Sequence, residues 1–332
     1  MARLFTSGIE TGGTSEFEAI SGMTASTVAP HTGVYAVRGT VNSHYVQKTV
    51  APSPSDEIYI RTWWYPTGND NGIVLLVGTS DSTLDVRFNY INNAFTIRRG
   101  TTVIATGTYL VPSLNRWYML ELYAKLANSP NGVATLKIDG NVDIAFTGGD
   151  TLSSASAAIT YVRFVCGAAT AGYHDDIAIN DTSGAADNSW CGDGRVIGIK
   201  PDAVGDQADF TPSAGANWEN ADDVPSDDDT TCNESATDGH IDLLNLEACG
   251  LSSVAIRGVD VKWTARKTIA NGDKQRAKIK TGGTVYDGAT DKVLTTSYKT
   301  YAESWRTNPN TSIAWTIADI DALQVGYENR PA

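Results

Sequence analysis

Short runs of alternating apolar and polar residues, separated by turn residues, constrain the fold of this chain more than any other feature. The run at 117–126 follows this pattern, and so does the run at 133–138, with Asn131-Gly132 before it and Asp139-Gly140 after it. Side chains alternate between the two faces of a strand, so a period of two predicts strands that bury one face. Asn-Gly and Asp-Gly supply the positive φ angles that tight hairpins need. Because helical periodicity is nearly absent elsewhere, the sequence predicts an all-β protein.

The distribution of predicted strands divides the chain into two domains. A length of 332 residues exceeds what one hydrophobic core usually serves. Residues 1–182 contain enough alternating runs for two packed sheets, which predicts a β-sandwich. Residues 183–190 are small and polar and are predicted to be a linker. Residues 191–332 are predicted to form a second, smaller β-sandwich, with a short helix after Thr316, whose hydroxyl can cap it.

Charge and hydropathy exclude several classes of partner. The formal net charge is −13, and an acidic surface repels phosphate backbones, so nucleic acid is not an expected partner. No apolar run approaches the ~20 residues that cross a membrane. The first residues show no basic segment followed by an apolar one, so no signal peptide is predicted. We therefore expect a protein that is made in a cytoplasm and is not exported by the general secretory route.

Several strings of residues resemble those of known structural proteins. The segments at 5–10, 31–38 and 57–65, followed by those at 115–123, 131–140 and 173–179, resemble concanavalin A-like (laminin G-like) domains of bacteriophage structural proteins, over about residues 3–182. The strings at 190–196, 210–231 and 305–316 resemble a C-terminal module common in tailed-phage virion proteins, over about residues 188–330. These resemblances imply a jelly-roll β-sandwich followed by a β-rich attachment or oligomerisation module.

The resemblance also implies a function. We expect a bacteriophage virion structural protein, either an accessory capsid-decoration protein or a component of the tail or fibre. Its partners would be other virion proteins and further copies of itself, with a trimer favoured. No enzymatic activity is expected, because the chain has neither a Gly-x-Ser-x-Gly nor a His-Glu-x-x-His motif, and it lacks the Glu-x-Asp-x-x-Glu string of glycosidases that share this sandwich.

The alternative function is recognition of a host-surface glycan by the virion. Aromatic side chains at the rim of the sandwich could stack on sugar rings. Trp64, Tyr65 and Tyr90 are the candidates for such a glycan site.

Two pairs of aspartates are candidate calcium ligands, and no other cofactor is predicted. Asp175 and Asp176 open an apolar strand, and Asp227 and Asp229 belong to an acidic cluster. Carboxylate oxygens suit a hard cation such as Ca²⁺. The structural alternative is that one aspartate of the first pair accepts hydrogen bonds from a neighbouring loop, while the second pair lies in a solvated turn. His174, beside the first pair, is expected to be a surface or capping residue.

Overall fold

The computed structural model describes residues 3–68, 71–89, 91, 93–109, 113–168, 170–269 and 273–332. Nearly all regular structure in these residues is antiparallel β-strand, which confirms the predicted all-β class. The chain divides into two compact units, Met1–Ile197 and Gly198–Ala332.

Unit 1 is a β-sandwich of two antiparallel sheets. The larger sheet has the strand order β13-β12-β11-β6-β15-β4-β3, with β1 beside β15, and the smaller sheet has the order β10-β9-β8-β7-β14-β5-β2. The strands in chain order are Arg3–Ser7 (β1), Ala19–Ser21 (β2), Thr24–Ser26 (β3), Ala36–Gly39 (β4), Tyr45–Thr49 (β5), Glu57–Pro66 (β6), Gly72–Gly78 (β7), Thr83–Asn89 (β8), Ala94–Arg99 (β9), Thr102–Thr106 (β10), Tyr118–Lys125 (β11), Gly132–Ile138 (β12), Asn141–Gly149 (β13), Tyr161–Val165 (β14) and Gly172–Asn180 (β15).

The alternation seen in the sequence sets the two faces of these strands. Every second residue of β12 is buried, and the hairpin to β13 turns at Asp139 and Gly140, whose φ angles are 48° and 82°. In β6 the inner face carries Ile58, Ile60 and Trp64, all fully buried between the sheets. The alternate residues of the strand, including Tyr59 and Tyr65, therefore point to the outer face of the larger sheet.

The boundary between the units lies later than the predicted linker at 183–190. Residues 183–197 return to unit 1, where Asn180 donates from Nδ2 to the carbonyl oxygen of Ser189 at 2.8 Å. Arg3 forms an ion pair of 3.2 Å with Asp187. Small polar residues are typical of linkers, but here they contribute backbone groups that the first sandwich binds.

Unit 2 is built on one six-stranded antiparallel sheet. Its order is β16-β19-β25-β21-β22, with β23 beside β21, and two further strand pairs, β17 with β18 and β20 with β24, lie outside it. The strands are Pro201–Ala208 (β16), Thr211–Pro212 (β17), Asn233–Glu234 (β18), Ile241–Leu246 (β19), Val259–Ala265 (β20), Lys274–Thr281 (β21), Thr284–Asp287 (β22), Lys292–Val293 (β23), Lys299–Trp305 (β24) and Gln324–Arg330 (β25). The core joins Ile279 of the sheet to Val261 of the β20–β24 pair, so the second layer is a two-stranded ribbon.

The short helix predicted after Thr316 is confirmed. It spans Ile317–Asp321 (α1), and the Thr316 side chain accepts a hydrogen bond from the backbone N–H of Asp319. The Asp319 carboxylate accepts from the backbone N–H of Thr316 in return, at 2.8 Å. A 3₁₀ turn spans Asn217–Asn220. Within the described part of the chain, no helix has the length and apolar character needed to cross a membrane.

Candidate functional site

Three aromatic side chains lie side by side across the outer face of the larger sheet of unit 1. Tyr173 of β15 pairs with Tyr65 of β6, and Trp117 directly precedes β11 at the next position across the sheet. The ring centroids of Tyr65 and Trp117 are 5.2 Å apart, and those of Tyr65 and Tyr173 are 5.7 Å apart. Residues opposite each other on paired strands are in side-chain contact, so the strand register itself builds this aromatic row of Tyr173, Tyr65 and Trp117.

The aromatic row is only partly covered. Tyr173 is buried, whereas Tyr65 and Trp117 are half-buried and keep part of their surface open. Ala36, Ala171 and Ala29 pack against the rings and complete a small apolar cluster separate from the core between the sheets. Packing on these small residues fixes the rings in place.

His31 borders the aromatic row on a loop before β4. Its ring stacks on Trp63 with centroids 3.8 Å apart and meets Trp117 edge-on at 5.4 Å. The Nδ1 atom lies 2.7 Å from Oδ2 of Asp176, which is fully buried, while the His31 side chain is 20% exposed. When Nδ1 donates to that carboxylate, Nε2 is the nitrogen with the free lone pair in the neutral ring.

Asp175 and Asp176 hold the loop that carries His31. A register shift between Asp175 and Ala178, and a φ of 46° at Asp176, interrupt the alternation of β15. Both carboxylates therefore reach the same loop, although consecutive strand residues ordinarily face opposite ways. Asp175 accepts from the backbone N–H groups of His31 and Thr32 at 2.7 and 3.2 Å, and Asp176 accepts from the Thr32 hydroxyl at 2.9 Å. Burial, and then the charge of Asp176, raise the pKa of Asp175 to about 8.

These contacts match the structural alternative and give no support to calcium at Asp175 and Asp176. The backbone N–H of Asp176 also donates to Asp175 at 2.6 Å, and that of Val196 donates to Asp176 at 2.6 Å. Protein donors thus engage the oxygens that a cation would need. Among the residues that the structure describes, no group of three His, Cys, Asp or Glu side chains is placed to hold a metal ion.

The second aspartate pair is not brought together around a common point. Asp227 accepts from the Thr231 hydroxyl at 3.0 Å, whereas Asp229 accepts from Arg266 Nη2 and from the Tyr298 hydroxyl, each at 2.7 Å. These two hydrogen bonds lower the pKa of Asp229. The Oδ1 atom of this carboxylate is therefore already paired with a guanidinium.

The three aromatic candidates for a glycan site have different positions. Trp64 was the wrong choice, because it is fully buried, packs against Phe88 and Phe95, and donates its indole N–H to the Cys166 carbonyl at 3.2 Å. Tyr65 faces outward and forms the centre of the aromatic row. Tyr90 lies outside the described residues.

Sequence reasoning missed Trp117, Tyr173 and His31. Trp117 begins one predicted strand, and Tyr173 lies just ahead of another. The period-two pattern could therefore have placed each of these two side chains on one face of its own strand. It could not place them beside Tyr65, because the three strands are far apart in sequence and only their register brings these rings together.

Another part of the outer face is closed by the strap, defined as residues 187–196. Trp190 meets Tyr59 edge-on with ring centroids 5.4 Å apart, and Lys137 Nζ lies 3.7 Å from the centre of the indole. The Gly192 backbone N–H donates to Glu121 at 2.7 Å, and its carbonyl accepts from Arg61 Nη1 at 2.9 Å. Burial lowers the pKa of Arg61 and raises that of Cys191 to about 11.

Comparison with known proteins gives structural matches only. No family model and no curated protein sequence matches the chain. An endo-β-1,4-glucuronan lyase from Trichoderma reesei is 11% identical, with a TM-score of 0.38, covering 54% of this chain and 95% of its own. The alginate lyase vAL-1 from Chlorella virus is 8% identical, with a TM-score of 0.39, and the match covers 53% of this chain and 98% of the lyase. The galectin LEC-6 from Caenorhabditis elegans is 16% identical, with a TM-score of 0.31, and the match covers 43% of this chain and 95% of the galectin.

The matched structures correct the expectation that this chain has no enzymatic activity. Two of the three are named as lyases, so a β-sandwich of this kind gives no ground for excluding catalysis. At these identities and TM-scores the likeness concerns the fold and assigns neither a substrate nor a reaction.

Proposed function

We propose that unit 1 binds glycan chains on the outer face of its larger sheet, at the aromatic row of Tyr173, Tyr65 and Trp117. One observation carries this proposal: three rings lie in contact across neighbouring strands, and two of them keep open surface. The outer face of an antiparallel sheet usually presents polar residues to water. A continuous aromatic surface in that position needs a partner with apolar faces and polar edges, and sugar rings have both.

The rigidity of the row favours binding. Each ring belongs to a paired strand or directly precedes one, and the His31 ring packs against Trp117 in a T-shaped arrangement. A ligand therefore meets side chains that have already lost their rotamer freedom, so little further ordering opposes binding. Tyr and Trp combine apolar area with one polar group each, and this suits stacking together with a hydrogen bond to a hydroxyl.

A glycan array followed by calorimetry on the best ligand tests the proposal. Trp117→Ala and Tyr65→Ala should each weaken binding by at least roughly tenfold, since each removes a stacking surface. The matched control is Tyr45→Ala, because Tyr45 is half-buried on the smaller sheet and lies under the Arg163 guanidinium at 4.2 Å. The proposal fails if the array shows no binding, or if the control weakens binding as much as the two variants in the row.

The pair of His31 and Asp176 favours a second candidate function, the chemical modification of a bound glycan. A histidine oriented through Nδ1 by a buried carboxylate and still 20% exposed is suited to act as a general base. Its contact with Trp117 places it beside the proposed binding surface. Incubation of the bound glycan with the protein, followed by mass spectrometry, should detect new chain ends that do not form with the His31→Ala variant. Unchanged glycan after prolonged incubation with the wild-type protein would leave binding as the function.

Placement in a bacteriophage virion stays a prediction, and so does assembly into a trimer. Both originate in the two sequence resemblances described above. A host-surface glycan would be the natural ligand of a virion protein that carries this aromatic row.

A further inference from the structure

We infer that the site takes an acidic glycan, whose sugar carboxylate is bound by the guanidinium of Arg38. The inference rests on the proposed function, because it names the class of glycan that the aromatic row accepts. It is carried by the position and the unmet bonding capacity of Arg38 at one end of that row.

Arg38 extends the aromatic row by one strand. It lies on β4 directly opposite Tyr173, and its Cζ atom is 5.8 Å from the centre of the Tyr173 ring. A sugar stacked on the neighbouring rings would therefore present its substituents to the guanidinium.

The Arg38 guanidinium lacks the partners that arginines in this protein usually have. Within the described residues it makes no ion pair and no hydrogen bond, and its Nε atom is shielded from solvent without an acceptor. Leaving a shielded donor without an acceptor costs free energy. The two Nη groups of this half-buried side chain are not shielded in the same way, and they can donate to a ligand.

Other arginines of this protein do pair with acidic side chains. Arg116, which precedes Trp117 in the chain, donates to the Asp139 carboxylate at 2.7 Å, and Arg276 binds both Asp287 and Asp291. The chain has 38 acidic and 25 basic residues, so acidic partners are plentiful. Arg38 is half-buried, and none of the acidic side chains that the structure describes pairs with it in spite of this excess.

The geometry of the guanidinium selects the anion. Arginine presents parallel N–H groups that match the two oxygens of a carboxylate, and such charge-assisted pairs are among the stronger hydrogen bonds. The net charge of −13 repels an anionic polysaccharide at long range. Recognition must therefore come from this local contact together with stacking, and the uronic acids combine a carboxylate with a ring that can stack.

The experiment compares matched ligands on matched variants. The ligands are tetramers of glucuronic, galacturonic, mannuronic and guluronic acid, the same tetramers with each carboxyl reduced to an alcohol, and a sulfated neutral tetramer. The variants are Arg38→Gln and the control Arg163→Gln, whose guanidinium also lies over tyrosine rings, at 4.2 and 5.0 Å, but on the smaller sheet. Affinities are measured by calorimetry at fixed ionic strength.

We expect the wild-type protein to bind at least one uronate tetramer roughly 10- to 100-fold more tightly than its reduced counterpart. Arg38→Gln should remove that preference while it keeps the weaker affinity for the reduced tetramer, and Arg163→Gln should change neither. Equal affinity for the acidic and reduced tetramers, or a preference for the sulfated one, would overturn the inference and leave glycan binding intact. If no ligand of any kind binds, the proposed function fails as well.

Discussion

His174 offers a quantitative test of how the two sheets of unit 1 are held together. It lies on β15 of the larger sheet with no exposed surface, and its Nε2 atom is 2.7 Å from the Val165 carbonyl of the smaller sheet. Its Nδ1 atom is 2.9 Å from the Thr62 hydroxyl. Nε2 therefore donates to the carbonyl and Nδ1 accepts from the hydroxyl, which satisfies the neutral ring. The sequence-based expectation of a surface or capping histidine was wrong.

The free energy that protonation of the buried ring costs determines how strongly the stability of unit 1 depends on pH. Burial lowers the pKa of His174 to about 4, against about 6.5 in an unfolded chain. Between these values the unfolded chain binds a proton that the folded protein does not. The stabilisation is therefore complete above pH 6.5 and is lost as the pH falls toward 4. The loss amounts to about 2 kcal/mol at pH 5 and about 3 kcal/mol below pH 4.

The perturbation is His174→Gln, which cannot titrate. The amide of glutamine can donate to the Val165 carbonyl and accept from the Thr62 hydroxyl, as the imidazole does. The free energy of unfolding of unit 1 should then depend less steeply on pH. The difference in that free energy between wild type and variant should shrink by about 2 kcal/mol from pH 7.5 to pH 5.

Urea unfolding at a series of pH values provides the assay. The folded fraction of unit 1 is read from amide hydrogen exchange in peptides covering 57–66 and 161–180, so that unit 2 does not contribute. Other titrating groups, including Asp175, affect both proteins alike and cancel in the difference. Parallel pH profiles for the wild type and His174→Gln would show that the buried neutral ring does not govern acid stability, and the reasoning would be refuted.

Two further substitutions test the packing described above. Trp64→Ala should lower the free energy of unfolding of unit 1 by about 3–5 kcal/mol, because Trp64 is fully buried between the sheets. The same urea assay measures this change, and a loss below about 1 kcal/mol would contradict its place in the core. Thr316→Ala should lower the free energy of unfolding of unit 2 by about 1 kcal/mol, since it removes the N-cap of α1. It should also speed amide exchange at 317–323, and unchanged exchange there would show that the cap does not stabilise the helix.

The sequence by itself determined the class of structure. Alternation with a period of two survives in the burial pattern of β12, and Asp139-Gly140 turns the hairpin that its positive φ angles allow. The helix after Thr316 was also predictable, from its N-cap. Each of these features depends on residues within a few positions of each other, so local chemistry is sufficient to specify it.

Tertiary structure alone decided the site. Trp64 and Tyr65 are adjacent in sequence, yet one lies in the core and the other on the outer face, and no local signal says which face of β6 is covered. The bulge at Asp176 turns two neighbouring carboxylates toward one loop, against the alternation that the sequence pattern assumes. Arg38, Tyr173 and Trp117 meet because β4, β15, β6 and β11 are neighbours in the sheet. Strand order and register are properties of the whole fold, because they are set by how two complete sheets pack.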